Sequence, residues 1–116
     1  MNTEGRIDYV EIPVTDLEKT REFFTGLFGW TFQEWGPDYF SFNDGRLECG
    51  LRRADEPAPA TGVLLIFYSE DLERDIERVK GLGATISQEI FEFPGGRRFH
   101  FVDPVGTEFA MWSGTE

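Results

Sequence analysis

The stretch YVEIPVTDLE, Tyr9 to Glu18, returns as LLIFYSEDLE, Leu64 to Glu73, in a chain of 116 residues. In the first copy Val10, Ile12 and Val14 alternate with Tyr9 and Glu11, the period-two pattern of a strand with one buried face. TDLE then reads as a capping box, with Thr15 offering its hydroxyl to the first helical turn and Glu18 reaching back. Leu17, Phe23, Phe24, Leu27 and Phe28 fall on one side of a helix that Gly29 closes as a left-handed cap. A strand runs directly into a capped helix, and the chain states this twice.

Outward from the first copy the pattern returns to strands in WTFQEW, YFSFN and RLECGLR, broken at Gly36-Pro37 and turned at Asp44-Gly45. RADEPAPAT lacks periodicity and reads as a linker. In the second copy GVLLIFYS is a strand, and Leu72, Ile76, Val79 and Leu82 form a helical stripe closed by Gly83. Strands follow in ATIS, IFEF, RRFHFV and TEFAMWS, with turns at Pro94-Gly95-Gly96 and at Asp103-Pro104-Val105-Gly106.

The expected fold is α+β, one domain over 1–116 made of two tandem βαβββ modules, 5–53 and 62–113, with a linker over 54–61. A lone module leaves one sheet face and its edges bare, and a second copy supplies the missing cover. With each helix on the outer side, the curved mixed sheet is expected to enclose a cavity. Val10 and Ile12 take the helix side, so Tyr9 and Glu11 point into that cavity, as do Leu64 and Ile66 by the repeat.

A chain this long can bury roughly 60 to 70% of its unfolded surface, enough for a core without staples. Hydrophobic residues make up 40% and Phe alone contributes 12, so that core is aromatic. Cys49 is the only cysteine, which rules out an internal disulfide and a thiolate metal cluster and fits a reducing compartment. No apolar leader or membrane-length run is visible, and the expected location is the cytoplasm. The net charge of -11 repels polyanions and argues against nucleic acid as a partner.

The paired modules, the DLE helix starts and the closing FPGGRRFHFVDPVGTEFAMWS resemble the vicinal oxygen chelate superfamily, that of glyoxalase I and the bleomycin-resistance proteins. The resemblance implies a site in which four cavity-facing side chains hold one divalent ion acting as a Lewis acid. The first ligand position, seven residues before the DL Asp, is Tyr9, and its counterpart in the second module is Leu64. The last, seven residues beyond the DP Asp, is Ala110, and the remaining one lies around Glu48 to Gly50. Tyr9 and Glu48 do not supply the three or four donors such an ion needs, so no metal and no cofactor are expected.

His100 is the only histidine, either an acid/base or ligand contact or a strand residue packed between Phe99 and Phe101. Arg97 and Arg98 follow a glycine-rich turn, and strand alternation lets at most one of them face the cavity; a structural salt bridge is their expected role. Glu11, turned inward, is either a contact for a cation, a general base, or one half of a pair with an inward arginine. Cys49 reads as a small buried hydrophobe, Trp112 as cavity wall, and Trp30 and Trp35 as core or interface.

The leading expectation is a metal-independent member that binds a small organic molecule in an aromatic cavity, with Tyr9, Glu11, Glu48, His100 and Trp112 as contacts and no catalytic residue assigned. Two alternatives stay open. One is sequestration of a cationic ligand, as in the bleomycin-resistance members; the other is a metal-dependent isomerase, lyase or dioxygenase with non-standard ligands. A homodimer is what the resemblance implies, and charge and hydropathy argue against nucleic-acid and membrane partners.

Overall fold

A computed structural model describes residues 4–114 of the chain. It divides into two compact units between Pro57 and Ala58. The first contains β1 (Tyr9–Val14), α1 (Leu17–Phe28), β2 (Phe32–Glu34), β3 (Tyr39–Asn43) and β4 (Glu48–Arg53). The second repeats this order with β5 (Leu65–Tyr68), α2 (Leu72–Gly81), β6 (Thr85–Phe93), β7 (Gly96–Val102) and β8 (Glu108–Gly114). Each is a βαβββ module with a four-stranded mixed sheet, ordered β1-β4-β3-β2 in the first and β5-β8-β7-β6 in the second. In both, the first strand pairs in parallel with the last and the other pairings are antiparallel.

Helix α1 begins one residue later than the capping-box reading places it. Asp16, not Thr15, is the cap of α1, its carboxylate accepting the Lys19 N–H at 3.0 Å. Asp71 does the same for α2 through the Arg74 N–H. β1 is extended through Val14, so the switch to helical backbone falls on the aspartate, whose short acceptor reaches the first-turn amides. Glu18 is turned outward to pair with Arg21. At the other ends Gly29 and Gly83 adopt the left-handed conformation, φ 75° and 98°, as expected of helix-terminating glycines.

Alternation along each strand sends one set of side chains under the helix. In the first module Val14, Phe40, Phe42, Cys49 and Leu51 are buried with Leu17, Phe23, Phe24 and Leu27 of α1. Trp30 joins them, its ring 5.1 Å from Phe24 and 4.7 Å from Phe42. Burial pushes the Cys49 thiol up to about 11, so it stays a neutral, apolar filler. In the second module Phe99, Phe101, Phe109 and Met111 are buried with Leu72, Ile76 and Val79. Each fully buried Phe contributes on the order of 2–3 kcal/mol, which makes these aromatic layers the main source of stability.

Two strands read separately from the sequence, ATIS and IFEF, are one strand, β6, whose pairing with β7 slips twice. Ile86 faces Phe101, Gln88 faces His100, and Phe91 faces Arg98. Each slip adds a residue on β6, and a one-residue slip turns every following side chain to the other face of the sheet. The second slip undoes the reversal made by the first, so the two together leave Phe91 and Phe93 on the face away from the helix and set Phe91 opposite Arg98 instead of Gly96.

A buried ion cluster locks α2 to the end of β5. Asp75, 4% exposed, accepts from Ser69 Oγ at 2.6 Å, from Arg74 Nε at 3.0 Å and from Arg78 at 3.2 Å. Burial opposes its charge, but Arg74, Ser69 and Arg78 outweigh that cost and the carboxyl titrates below its ordinary value of 3.8. A depressed pKa stabilises the fold above the unfolded value and ceases to do so as pH falls through the folded one. Asp75→Asn is therefore expected to lower unfolding free energy by roughly 1.5–3 kcal/mol at pH 7. The gap to wild type should close below pH 3.8 in urea titrations run across pH; a gap independent of pH would refute the assignment.

Candidate functional site

The sheet face away from each helix carries the predicted site residues. In the first module β1 and β4 run in register with Tyr9 beside Glu48 and Glu11 beside Gly50. This settles the register that the sequence left open: Glu48 shares the face of Tyr9, and Cys49 points under the helix. Tyr9 and Glu11 are linked through Tyr39, a residue the sequence reading did not single out. The Tyr9 and Tyr39 hydroxyls are 2.5 Å apart, and Tyr39 donates to Glu11 Oε1 at 3.0 Å. Glu11 Oε2 takes the Arg52 Nε–H at 3.0 Å, so the paired reading of Glu11 is the one found.

The chain Tyr9–Tyr39–Glu11–Arg52 consumes the polar groups of this face. Because Tyr39 donates to a carboxylate, the hydroxyl proton between the phenols belongs to Tyr9. Partial burial, then Tyr9, then Glu11 hold the Tyr39 phenol well above its ordinary value of 10.0, so it stays a donor. Glu48 accepts from Asn43 Nδ2 at 2.7 Å and stands outside this chain. Gly50 makes the arrangement possible, since a Cβ there would run into the hydroxyls of both Tyr39 and Tyr9.

In the second module the open face is apolar. Tyr68 lies opposite Trp112, and Ile66 opposite Ala110. Ile66, Phe93, Arg98 and Trp112 line a depression of about 290 Å³. The Trp112 ring stands 6.4 Å from Phe93 and edge-on to Tyr68 at 5.4 Å. Trp112 is thus a wall residue, as its position two beyond Ala110 suggests.

His100 lies on this same face but beneath the surface, 5% exposed, with its ring 5.9 Å from Phe91. Its expected neighbours Phe99 and Phe101 point to the opposite face, as strand alternation requires. It has partners that a linear reading could not show. Nδ1 is 3.3 Å from Glu108 Oε2, which also accepts from Ser87 Oγ at 3.0 Å. Its other ring nitrogen, Nε2, is buried and without a hydrogen-bond partner among the described residues.

The two adjacent arginines part company. Arg97 takes the helix side and grips Glu73 of α2 with both terminal nitrogens, at 2.6 and 3.1 Å. Arg98 turns into the depression, where no carboxylate among the described residues meets it and its Nε is buried without a partner. A salt bridge is therefore found for Arg97 and not for Arg98.

The residues present do not fit the metal centre that the fold family implies. Ala110 is buried and donorless, Leu64 precedes β5, Tyr9 is engaged by Tyr39, and Glu48 by Asn43. Among the described residues no three His, Cys, Asp or Glu side chains come together as a ligand set.

Comparison with known proteins places this geometry in context. The model of the glyoxalase/bleomycin resistance protein/dioxygenase superfamily matches residues 6–111. A glyoxylase-like domain-containing protein of Didymella fabae is 28% identical over 113 residues, covering 87% of each chain. A glyoxalase/bleomycin resistance protein/dioxygenase family enzyme of Burkholderia phytofirmans superposes with a TM-score of 0.81 at 17% identity, over 94% of this chain and 100% of that one. A genomically encoded fosfomycin resistance protein of Listeria monocytogenes gives 0.82 at 22% identity, over 97% and 96%. At such identities these likenesses carry the fold and not the activity.

Gly50→Ala is expected to part the two phenols and cost about 1 kcal/mol of stability, the worth of one net hydrogen bond. The Tyr39 titration, followed by tyrosine absorbance, should fall back toward 10.0. An unchanged titration would show that the phenols do not depend on the missing side chain.

Proposed function

The chain belongs to the glyoxalase/bleomycin resistance protein/dioxygenase superfamily, and we propose that it is a member that binds a small organic molecule without a resident metal ion. The observation that carries this reading is the depression on the second module, lined by the apolar Ile66, Phe93 and Trp112 and by Arg98. Small-ligand pockets begin at roughly 300 Å³, so the volume suits a molecule built on a single ring. Trp112 and Phe93 would hold that ring by its faces and edges, as aromatic side chains do for one another.

The five contacts expected from the sequence enter this proposal in different roles. Trp112 touches the ligand, and His100, buried on the same sheet face, is held by Glu108 outside the lining of the depression. Tyr9 offers a half-exposed hydroxyl at the end of its chain on the first module. Glu11 and Glu48 are occupied by Arg52, Tyr39 and Asn43 and hold that surface in shape. Capture of a cation, which the net charge of -11 would favour, finds an arginine rather than a carboxylate in the depression.

Single-ring compounds are expected to quench Trp112 fluorescence with Kd values of about 0.1–10 mM, the range for so few heavy atoms. Trp112→Leu should abolish the response, and a chelator should leave it intact. Quenching that survives the substitution would place the ligand elsewhere; quenching lost with chelator would restore a metal to the site.

The proposal includes a cytoplasmic homodimer, for which Trp35, 64% exposed, is interface material. Light scattering should give twice the chain mass of 13.3 kDa. A monomer at all concentrations would remove the dimer and leave the binding site standing.

A further inference from the structure

Arg98 is out of keeping with the rest of this protein. Acidic residues outnumber basic ones 22 to 11, so a guanidinium has no shortage of carboxylates. Arg21, Arg52, Arg53, Arg74, Arg78 and Arg97 each have one. Arg98 is half-buried in the aromatic depression and pairs with none among the described residues. Removing a charge from water without a partner is costly, and a ligand that supplies the partner recovers that cost.

The surroundings fix how the guanidinium is presented. Its central carbon lies 5.5 Å from the Phe91 ring centroid and 5.8 Å from that of Phe93. Both rings come from β6, where the two register slips between Ile86 and Phe91 set Phe91 directly opposite Arg98. Cation–π contact holds the plane of the fork while making no hydrogen bond to its edge. Glu108, which closes the other end of the β7–β8 pairing, is already shared by Ser87 and His100. The guanidinium, its buried Nε unpartnered and with no carboxylate paired to it among the described residues, keeps a fork of parallel donors that a planar carboxylate matches.

We propose that the ligand of this depression is an organic acid, its carboxylate gripped by the Arg98 fork and its ring set against Trp112 and Phe93. This rests on the small-molecule reading above and adds the chemical class to it. It also predicts selection against the cations that the overall charge attracts at long range, because discrimination is made at the contact and not by the distant field.

Three probes of one shape test it: phenylacetate, its neutral isostere phenylacetamide, and the cation phenethylamine, each titrated by Trp fluorescence against wild type, Arg98→Met and Arg98→Lys. Wild type should bind phenylacetate at least about 10-fold more tightly than phenylacetamide, the worth of a charge-assisted hydrogen bond. Phenethylamine should bind more weakly than both. Arg98→Met should bring the acid-to-amide ratio to about one. Arg98→Lys keeps the charge but not the fork and should leave a ratio of a few-fold, which preserves the test if the Met variant does not fold. Equal affinity for acid and amide in wild type, or a preference that survives both substitutions, overturns the acid assignment while the amide still reports a working pocket. If none of the three probes binds, the small-molecule reading falls and this inference with it.

Discussion

Each module depends on one constraint: a four-stranded sheet has two faces and the chain provides a single helix to cover one of them. The aromatic layers of Phe40 and Phe42 under α1, and of Phe99, Phe101 and Phe109 under α2, satisfy that constraint. Because strand side chains alternate, committing those residues to the helix forces Tyr9, Glu11 and Glu48, and likewise Ile66, Arg98 and Trp112, onto the opposite face. The chemistry of the protein is written on what the helices leave uncovered. The same logic separates Arg97 from Arg98, since neighbours on a strand cannot share an environment.

The two open faces answer differently to the same architecture. On the first module Tyr39, Glu11 and Arg52 satisfy one another, and Gly50 supplies the room for two phenols to meet. A carboxylate so engaged has little left for a metal or a ligand. On the second module the face is apolar, and its polar side chains are set into the aromatic surface rather than joined across it. His100 is fixed by Glu108 and Ser87, whereas Arg98 meets only rings. An unpaired guanidinium is conspicuous because a surplus of acids has neutralised so many of the others.

Much of this was legible from local pattern. The period-two runs, the helical stripes and the glycines at the helix ends are short-range signals, and they place Val10 and Ile12 away from Tyr9 without any tertiary information. The family resemblance reads Tyr9, Leu64 and Ala110 at metal positions, which again needs only spacing. What escaped were contacts between residues far apart in the chain. Tyr39 looked like an ordinary strand aromatic, and His100 looked solitary because Glu108 and Ser87 lie on two other strands. The helix cap moved from Thr15 to Asp16 because the length of β1, not the motif, decides where the backbone turns.

The sequence by itself determined the doubled βαβββ plan, the helix-facing stripes and which residue types stand at the positions that the family resemblance singles out, because periodicity, turn chemistry and residue type are local properties. Tertiary structure decided which polar groups have partners. Two register slips in β6 set Phe91 opposite Arg98 instead of Gly96, and the pairing of β1 with β4 sets Gly50 beneath two tyrosines. A slip changes the partner of every residue beyond it, yet it leaves no mark in composition or period. That is why the aromatic cradle of Arg98 became visible only in the folded chain.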